Sequence, residues 1–429
     1  MKGIVLTHKV RIMHPVEIDW ETLGEILNNL SYYGRKIMNE TVKAYWDYQQ
    51  ENMSFKNLSG NYIDVKEIFG VKRYDSVIYQ NLKTKYAEVG FPSDTLSGLV
   101  QNAIAKYDAL KSDIAKGDAV IPSFRKKDIV IPIKKSQFTL NDDFTAYLTL
   151  LDAKKADEYG FKGLRKQSVL VKLGTSDHEK IILQRILNGT YELCDSGIQK
   201  QGKHWYVLLA YRQPVKERSE LSDDVIVGVD LGIVNAAAIA VSNHPKPYYI
   251  HGGEIEAFRR RVEARRKSLQ RQLKYCSHNR RGHGRKTLLK PLDSISHKIE
   301  NFKRLTNHRY AKYIVDIALK HGAGVIQMED LTGISKRKSF LRNWSYYDLQ
   351  QKIEDKAKKY GIKVRKVCPK YTSQRCSKCG HIAKENRPGQ SYFKCTDPTC
   401  GFELNADFNA ARNLATPGIE ALIKEKIGE

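Results

Sequence analysis

The sequence of 429 residues has no apolar run of about eighteen or more residues, the length that would suggest a transmembrane helix. The apolar segment near the start, residues 4–6, is too short for the core of a secretory signal peptide. Cysteine is also scarce, with seven in all and none before Cys194. A disulfide framework would usually spread an even set of cysteines through a small secreted domain. We therefore predict a protein of the reducing cytoplasm that spans no membrane.

Acidic residues are few relative to basic ones, with 48 Asp and Glu against 73 Lys and Arg and a formal net charge of +25. The excess is concentrated between Arg259 and Lys312, where 18 basic and 3 acidic residues give a net charge of +15. Such a field favours nucleic acid, because binding releases the counterions of the polyanion. A solvated helix face is the alternative, although such faces usually mix both signs. The candidate nucleic-acid contacts are Arg259, Arg260, Arg265, Arg266, Arg280, Arg281 and, beside the cysteine cluster, Arg375.

Changes in hydrophobic pattern divide the chain into domains. Residues 1–19 contain a strand, residues 20–118 repeat apolar side chains at helical spacing, and residues 119–215 contain several short strands rich in β-branched residues. This order predicts a small β-barrel made from 1–19 and 119–215, with the helical domain 20–118 inserted into it.

The second half follows a charged linker at 216–220 and has the pattern β-β-helix-β-helix-β. Strands are expected at 225–230, 236–241, 324–329 and 362–367, and helices at about 255–275, 291–321 and 346–360. The basic, glycine-containing loop at 277–286 should be mobile until it meets phosphate. We predict a multidomain α/β protein whose second domain occupies 216–368 and 403–429, with an insert at 369–402.

Three acidic residues, Asp230, Glu329 and Asp407, lie where a metal-binding carboxylate could be held rigidly. Asp230 and Glu329 each end an apolar strand, and Asp407 opens the last helical segment. Three converging carboxylates can hold Mg²⁺ or Mn²⁺ for phosphodiester hydrolysis, as in RNase H-like nucleases. Each has a simpler reading as well: Asp230 as an ordinary turn residue, Asp330 as the ligand in place of Glu329, and Asp407 as a helix cap.

Four of the seven cysteines form two pairs, Cys376 with Cys379 and Cys395 with Cys400. Each pair precedes a glycine, as expected for tight knuckles that close a tetrahedral, structural Zn²⁺ site. Disulfides or a redox pair are the alternatives. The second pair has four intervening residues, which is still within the usual ligand spacing. We predict a zinc ribbon, with His381 as a spare ligand.

With these residues in place, the second half resembles the RuvC-like domain of TnpB transposon nucleases and type V CRISPR effectors. The shared stretches are GVDLG at 228–232, MEDL at 328–331, YTSQRCSKCG at 371–380 and NADFNAARN at 405–413. The chain also resembles the miniature type V-F effectors. The matching stretches are Asp19 with Trp20, GDAVIPSF at 117–124, GGEIEAFRR at 252–260 and NWSYYDLQQK at 343–352. The resemblance covers nearly the whole chain and favours the CRISPR branch.

The resemblance implies a prokaryotic, RNA-guided nuclease. Its wedge barrel and helical recognition domain would hold a guide RNA, and one RuvC site would cut both strands of the target DNA with two metal ions. It also implies a T-rich flanking motif read from the duplex and an asymmetric homodimer on one guide RNA. Base pairing would then supply sequence specificity. The chain departs from some relatives in having no amino-terminal zinc finger, since no cysteine precedes Cys194.

Other functions are open at this point. The chain could be a TnpB-like transposon nuclease, a guide-loaded protein that silences DNA without cutting, or a resolvase or transposase that works without RNA. The three carboxylates argue against a protein that only binds DNA. The mass of 49.1 kDa is small for enclosing a guide and a heteroduplex alone, which favours a dimer.

Overall fold

The computed structural model describes residues 3–125, 129–161, 165–215, 220–232, 234–276, 285–331 and 346–427. The chain separates into two compact units, Met1–Pro214 and Val215–Glu429. Over the described ranges, no helix combines the length and apolarity that a membrane span requires.

The first unit begins with a long strand, continues with helices and ends with further strands. Its elements are β1 (Gly3–Pro15), α1 (Trp20–Ser59), α2 (Val65–Phe69), α3 (Tyr74–Lys85), α4 (Ser93–Asp108), α5 (Lys111–Ala115), β2 (Val130–Ile133), β3 (Phe138–Leu140), β4 (Thr145–Leu148), α6 (Ala153–Glu158), β5 (Val169–Leu173), α7 (Asp177–Leu187), β6 (Glu192–Leu193), β7 (Ser196–Gln201) and β8 (His204–Pro214).

Strand β1 joins the two halves of an antiparallel sheet. The first nine residues of β1 pair with β8, and residues from Ile12 to Pro15 pair with β5, with a register shift between Ile12 and His14. The sheet order is β2-β7-β8-β1-β5-β4-β3, with β6 added to β8. The barrel prediction is met in part, because the described strands form one antiparallel sheet that leaves β2 and β3 as its edges.

The helical segment lies between β1 and β2 in sequence, as the apolar pattern predicts. Helix α1 begins at Trp20, where the Asp19 carboxylate accepts a hydrogen bond from the Thr22 amide at 2.7 Å. The helices share one core with the sheet. Helix α4 passes so close to β2 that a side chain at Gly98 would have its Cβ 2.8 Å from the Pro132 ring.

Some local predictions for the first unit are wrong. Apolar spacing in the sequence predicts one helix from Ser93 or Asp94 to about Gly117. The structure has two helices there, because α4 ends at Asp108 and α5 starts at Lys111. The residue before α4 is Pro92, and no side chain caps the helix there. Residues 120–122, expected as a strand, have no strand pairing. The sequence also predicts a hairpin that turns at residues 200–203. The antiparallel pairing of β7 and β8 confirms it.

The second unit is a mixed α/β structure around a five-stranded sheet. Its elements are β9 (Ser222–Asp230), β10 (Asn235–Val241), β11 (His244–His251), α8 (Gly253–Cys276), α9 (Arg285–Lys320), β12 (Ala323–Glu329), α10 (Tyr346–Lys358), β13 (Lys363–Val367), β14 (Tyr392–Lys394), β15 (Glu403–Asn405), α11 (Ala406–Leu414) and α12 (Ile419–Ile427).

The strands of this sheet follow the order β11, β10, β9, β12, β13. Strand β10 is antiparallel to β9 and β11, whereas β12 is parallel to β9 and β13. Val227 and Val229 pack with α9 and α10 on one face. Helix α11 packs against Ala238 and Ala240 on the other face. The carboxyl ends of β9 and β12 therefore lie side by side.

Two features of the second unit depart from the predicted pattern. Strand β11 was not expected, since it contains Pro245 and Pro247, but an edge strand tolerates proline. Helix α9 begins at Arg285 and runs through Pro291, where a helix start was expected. Most of the predicted mobile loop at 277–286 lies outside the described residues.

Candidate active site and metal centre

The structure brings the three predicted carboxylates to one place. Strands β9 and β12 pair in parallel with Val229 opposite Met328, so Asp230 and Glu329 follow at adjacent strand ends. Asp407 is the second residue of α11, which packs on the sheet face formed by β9 and β10. All three carboxylates are half-buried.

Gly228 allows α11 to approach the sheet. A Cβ at Gly228 would lie 2.1 Å from the Ala411 carbonyl oxygen and 2.3 Å from the Ala415 amide nitrogen. These atoms belong to the helix backbone and cannot rotate away, so only glycine fits. Gly228 is two residues before Asp230, and Ala411 is one helical turn after Asp407. The close approach therefore sets the spacing between these two carboxylates.

Burial and neighbouring charge disturb the ionisation of Asp230 and Glu329. Burial, followed by the charges of Glu329 and Asp407, raises the pKa of Asp230 to about 8. Burial also raises the pKa of Glu329, against the lowering effects of its hydrogen bond with Thr372 and the charge of Arg387. Like charges held together in a partly dry site favour a bound cation.

Arg387 is a site residue that the sequence did not predict. Its guanidinium lies 3.6 Å from the Asp407 carboxylate, and its charge partly opposes the rise in the pKa values of Asp230 and Glu329. It lies between the two cysteine pairs, in a segment without helix or strand periodicity. No sequence signal distinguishes it from the many other basic residues, because its role depends on how the cysteine-containing segment folds.

Further polar contacts hold the acids in place. The Thr372 hydroxyl donates to the Glu329 carboxylate, and the Gln350 amide donates to the Glu329 carbonyl oxygen at 2.6 Å. Asn235 donates to the Asp407 carboxylate at 2.9 Å. The Asp330 amide donates to the Val367 carbonyl at 2.7 Å. Of the two adjacent acids, Glu329 is the one whose charge raises the pKa of Asp230.

The four clustered cysteines form a compact group of thiols. Their sulfur atoms all lie within 4.8 Å of one another, and no other group of three or more potential metal ligands among the described residues is as compact. The Cys379–Cys395 and Cys376–Cys400 sulfur distances are 3.6 and 3.9 Å. A tetrahedral ion with metal–sulfur bonds of about 2.3 Å would place its ligands about 3.8 Å apart. The donor set therefore fits a closed, four-thiolate metal site.

Buried asparagines attach this cysteine ribbon, residues 369–402, to α11. Asn409 accepts from the Ser377 amide at 3.0 Å and donates to the Arg375 carbonyl at 2.9 Å. Asn413 donates to the Thr372 and Arg375 carbonyls at 2.9 and 2.7 Å. Both asparagines are fully buried. The same short helix therefore carries Asp407 and anchors the ribbon that supplies Arg387.

The predicted nucleic-acid contacts have varied surroundings. Arg375 is half-buried and donates to the Asn413 side chain at 2.8 Å, which is a structural contact. Arg259 and Arg260 form ion pairs with Glu256 on the same helix. Arg265 and Arg266 are exposed. Arg280 and Arg281 lie outside the described residues. Contact with nucleic acid stays a prediction for all of them.

Comparisons with known proteins agree with this architecture. A model of the Cas12f1-like TNB domain matches residues 346–414. The CRISPR-associated endodeoxyribonuclease Cas12f1 of Sulfoacidibacillus thermotolerans is 41% identical over 431 residues, covering 99% of this chain and 100% of the relative. The Cas12f1 of Syntrophomonas palmitatica is 44% identical over 257 residues, covering 53% and 51%.

More distant matches agree as well. The putative RNA-guided DNA endonuclease InsQ of Escherichia coli is 28% identical over 245 residues, covering 51% of this chain and 55% of InsQ. A chain from a structure of a Cas12f1–sgRNA–target DNA complex has the same fold, with a TM-score of 0.71 at 21% identity, covering 97% of this chain and 99% of that one. The class is therefore that of type V CRISPR effectors related to TnpB. Within that class, the chain belongs to the Cas12f1 family.

We expect the substitution Gly228→Ala to destabilise the second unit by about 1–3 kcal/mol, since the new Cβ overlaps the backbone of α11. Thermal unfolding measures the effect, at about 2–4 °C for each kcal/mol in a unit of this size. Gly253→Ala is the matched control, because no atom lies within 4 Å of a Cβ there. Equal melting temperatures for the two variants would contradict the close approach of α11.

Proposed function

We propose that this chain is an RNA-guided DNA endonuclease with a single carboxylate site that cuts both strands of its target. The convergence of Asp230 and Glu329, at adjacent strand ends, with Asp407, on α11, carries the proposal. It occurs in a chain that aligns over its whole length with an endodeoxyribonuclease at 41% identity. The geometry of the carboxylates thus supports the site, and the similarity to a relative independently supports the endonuclease activity.

We propose Mg²⁺, or Mn²⁺ in its place, as the catalytic cofactor of this site. The donor set fits, because hard divalent cations prefer carboxylate oxygens. Burial, and then the charges of Glu329 and Asp407, raise the pKa of Asp230, and a bound cation would offset both effects. A pair of such ions supplies an activated water and neutralises charge that develops on the phosphate and the leaving 3′-oxygen. Asp230, Glu329 and Asp407 would hold the ions.

The other residues of the site have roles that follow from their contacts. Thr372 holds the Glu329 carboxylate, and Asn235 holds that of Asp407. Arg387 pairs with Asp407 only at 3.6 Å and is partly exposed. Its guanidinium is therefore placed to donate to the non-bridging oxygens of a phosphate between the carboxylates. The ribbon would thereby contribute directly to the chemistry.

We propose structural Zn²⁺ for the site formed by Cys376, Cys379, Cys395 and Cys400. Burial raises the pKa of the Cys395 thiol, so the thiolate form needs a metal to stabilise it. Four sulfur ligands leave no open position for substrate. The metal would hold the ribbon together, and the ribbon in turn holds Arg387.

The rest of the chain would deliver the DNA. In this proposal the sheet of the first unit is the wedge domain, and the helices between β1 and β2 are the recognition domain, which together bind the guide RNA. The basic segment from Arg259 to Lys312 offers a path for the nucleic acid. A T-rich flanking motif would be read from the duplex, and two copies of the chain would share one guide asymmetrically.

The substitution Asp230→Asn should abolish cleavage of a guide-matched duplex, while guide and target binding change by less than about threefold, because the amide removes a metal ligand at constant size. Cleavage assays with Mg²⁺ and filter binding on the same preparation measure both. Wild-type cleavage by this variant would refute the assigned site. RNase treatment before assembly distinguishes a guide-independent resolvase, which would remain active.

The Cys395→Ser variant should lose one equivalent of bound zinc per chain, because three thiolates cannot close the site. Elemental analysis of the purified chain measures this, and Cys368→Ser serves as the control since Cys368 is exposed and outside the cluster. Full zinc content in the Cys395 variant would show that the metal is held elsewhere.

Without Mg²⁺, the stability of the folded chain should depend on pH through Asp230. The pKa rises from its ordinary value of 3.8 to about 8 on folding, so the carboxyl's contribution to stability is fully present below pH 3.8. That contribution is lost as the pH rises through about 8. Asp230→Asn cannot ionise, so the melting temperature of the variant should exceed that of the wild type by an amount that grows up to about pH 8.

Thermal unfolding at several pH values, in buffer free of Mg²⁺ and with zinc retained, measures this difference. An increase of only about 1 kcal/mol in the free energy of unfolding raises the melting temperature by about 2–4 °C. Asp224→Asn, an exposed position of the same strand, should follow the wild type at every pH. A constant difference between Asp230→Asn and wild type across this range would contradict the raised pKa.

A further inference from the structure

A histidine outside the carboxylate set is connected to Asp407 through one asparagine. Asn235 begins β10 and His251 ends β11, and the two residues are paired across the sheet. The Nδ1 atom of His251 lies 3.0 Å from the side-chain oxygen of Asn235. The side-chain nitrogen of Asn235 lies 2.9 Å from Oδ2 of Asp407. The three side chains therefore form a continuous chain of hydrogen bonds that ends on a carboxylate of the site.

The chemistry of the three groups fixes the direction of both hydrogen bonds. An ionised carboxylate only accepts, so the Asn235 amide must turn its NH₂ group towards Asp407. The carbonyl oxygen of the amide then faces His251, and because that oxygen carries no hydrogen, Nδ1 must be the protonated nitrogen that donates. His251 thereby opposes a 180° turn of the amide, which would place its oxygen against the carboxylate. The histidine thus sets the orientation in which Asn235 can donate to Asp407.

Ring contacts hold His251 in place although the residue is exposed. Its imidazole lies nearly parallel to the Tyr249 ring, with 6.0 Å between the ring centres and 16° between the planes. Tyr249 in turn packs with Phe408, which follows Asp407 on α11, at 6.4 Å between ring centres. The histidine is therefore fixed relative to the helix that carries the carboxylate.

The two oxygens of Asp407 have unequal partners. Oδ2 accepts the hydrogen bond from Asn235. Oδ1 lies 3.6 Å from the Arg387 guanidinium, which is too far for a hydrogen bond. Oδ1 is therefore the oxygen more available to a divalent cation. A carboxylate that binds a metal is oriented by such hydrogen bonds from residues outside the ligand set.

We propose that His251 is a positioning residue of the carboxylate site, acting through Asn235 to hold Asp407 in the orientation that binds a divalent cation. The inference rests on the proposed function, in which Asp407 is a metal ligand. Among the described residues, Asn235 is the hydrogen-bond partner of the His251 ring, so removing this donor breaks no other polar contact there. Loss of an outer contact of this kind weakens metal binding about 10–100-fold.

Two substitutions separate the donor from the rest of the imidazole. In His251→Asn, the side-chain nitrogen is as many bonds from Cβ as Nδ1 is, so it can still donate to Asn235. In His251→Gln, the nitrogen is one bond further away, as Nε2 is, so the donor at the Nδ1 position is lost. The two variants are both neutral amides and differ chiefly in the place of the donor.

The first measurement is Mn²⁺ binding to the full chain without nucleic acid and with zinc retained. Electron paramagnetic resonance follows the decrease of the free Mn²⁺ signal, and Asp230→Asn gives the level of binding outside the site. We expect the dissociation constant to rise about tenfold in His251→Gln and to stay within about threefold of the wild type in His251→Asn.

The second measurement is cleavage of a guide-matched duplex over a range of Mg²⁺ concentrations. His251→Gln should need about tenfold more Mg²⁺ for half-maximal cleavage and should reach the wild-type rate at saturation, which a general loss of structure would prevent. His244→Gln is the matched control, because it removes the histidine at the start of β11, whose ring contacts Tyr248 and His321 instead. It should behave as the wild type in both measurements.

Melting temperatures establish that each variant is folded. The inference is overturned if His251→Gln matches the wild type in Mn²⁺ affinity and Mg²⁺ requirement, or if His251→Asn loses as much affinity as His251→Gln. Failure of the proposed function has a different signature: Asp230→Asn would bind Mn²⁺ as the wild type does, or the wild type would cut no guide-matched target.

Discussion

The contact between Gly228 and the backbone of α11 is the constraint on which the site depends. Strand ends alone place two carboxylates side by side, but the third comes from a helix and needs a fixed distance from the sheet. Backbone atoms in contact define that distance more firmly than side chains, which can change rotamer. The missing side chain at Gly228 therefore determines the geometry of the carboxylates.

The same helix, α11, links the carboxylate site to the four-cysteine site. Its buried asparagines hold the cysteine ribbon through backbone carbonyls, and the ribbon places Arg387 beside Asp407. The ribbon is thus a structural part of the carboxylate site rather than an attached module. Its insertion before Asp407 in the sequence allows one short element, α11, to organise both.

The sequence was sufficient to predict the structural setting of residues that a local pattern marks. Asp230 and Glu329 end apolar strands, and the cysteine spacing indicates a metal knuckle, so each carries its own signal. Arg387 could not be predicted, because its position depends on how the ribbon folds. Strand β11 was missed because its prolines oppose strand formation, which an edge position tolerates. The break between α4 and α5 has no proline or glycine to mark it.

The pairing of β1 has a consequence for how the first unit could be handled. Gly3 pairs with Pro214, so the two ends of this unit are neighbours in space although more than 200 residues separate them. Units with adjacent ends can be inserted into a loop of another protein or given new termini with little distortion. The first unit is therefore suited to such transfer, because backbone hydrogen bonds between β1 and β8 already hold its two ends together.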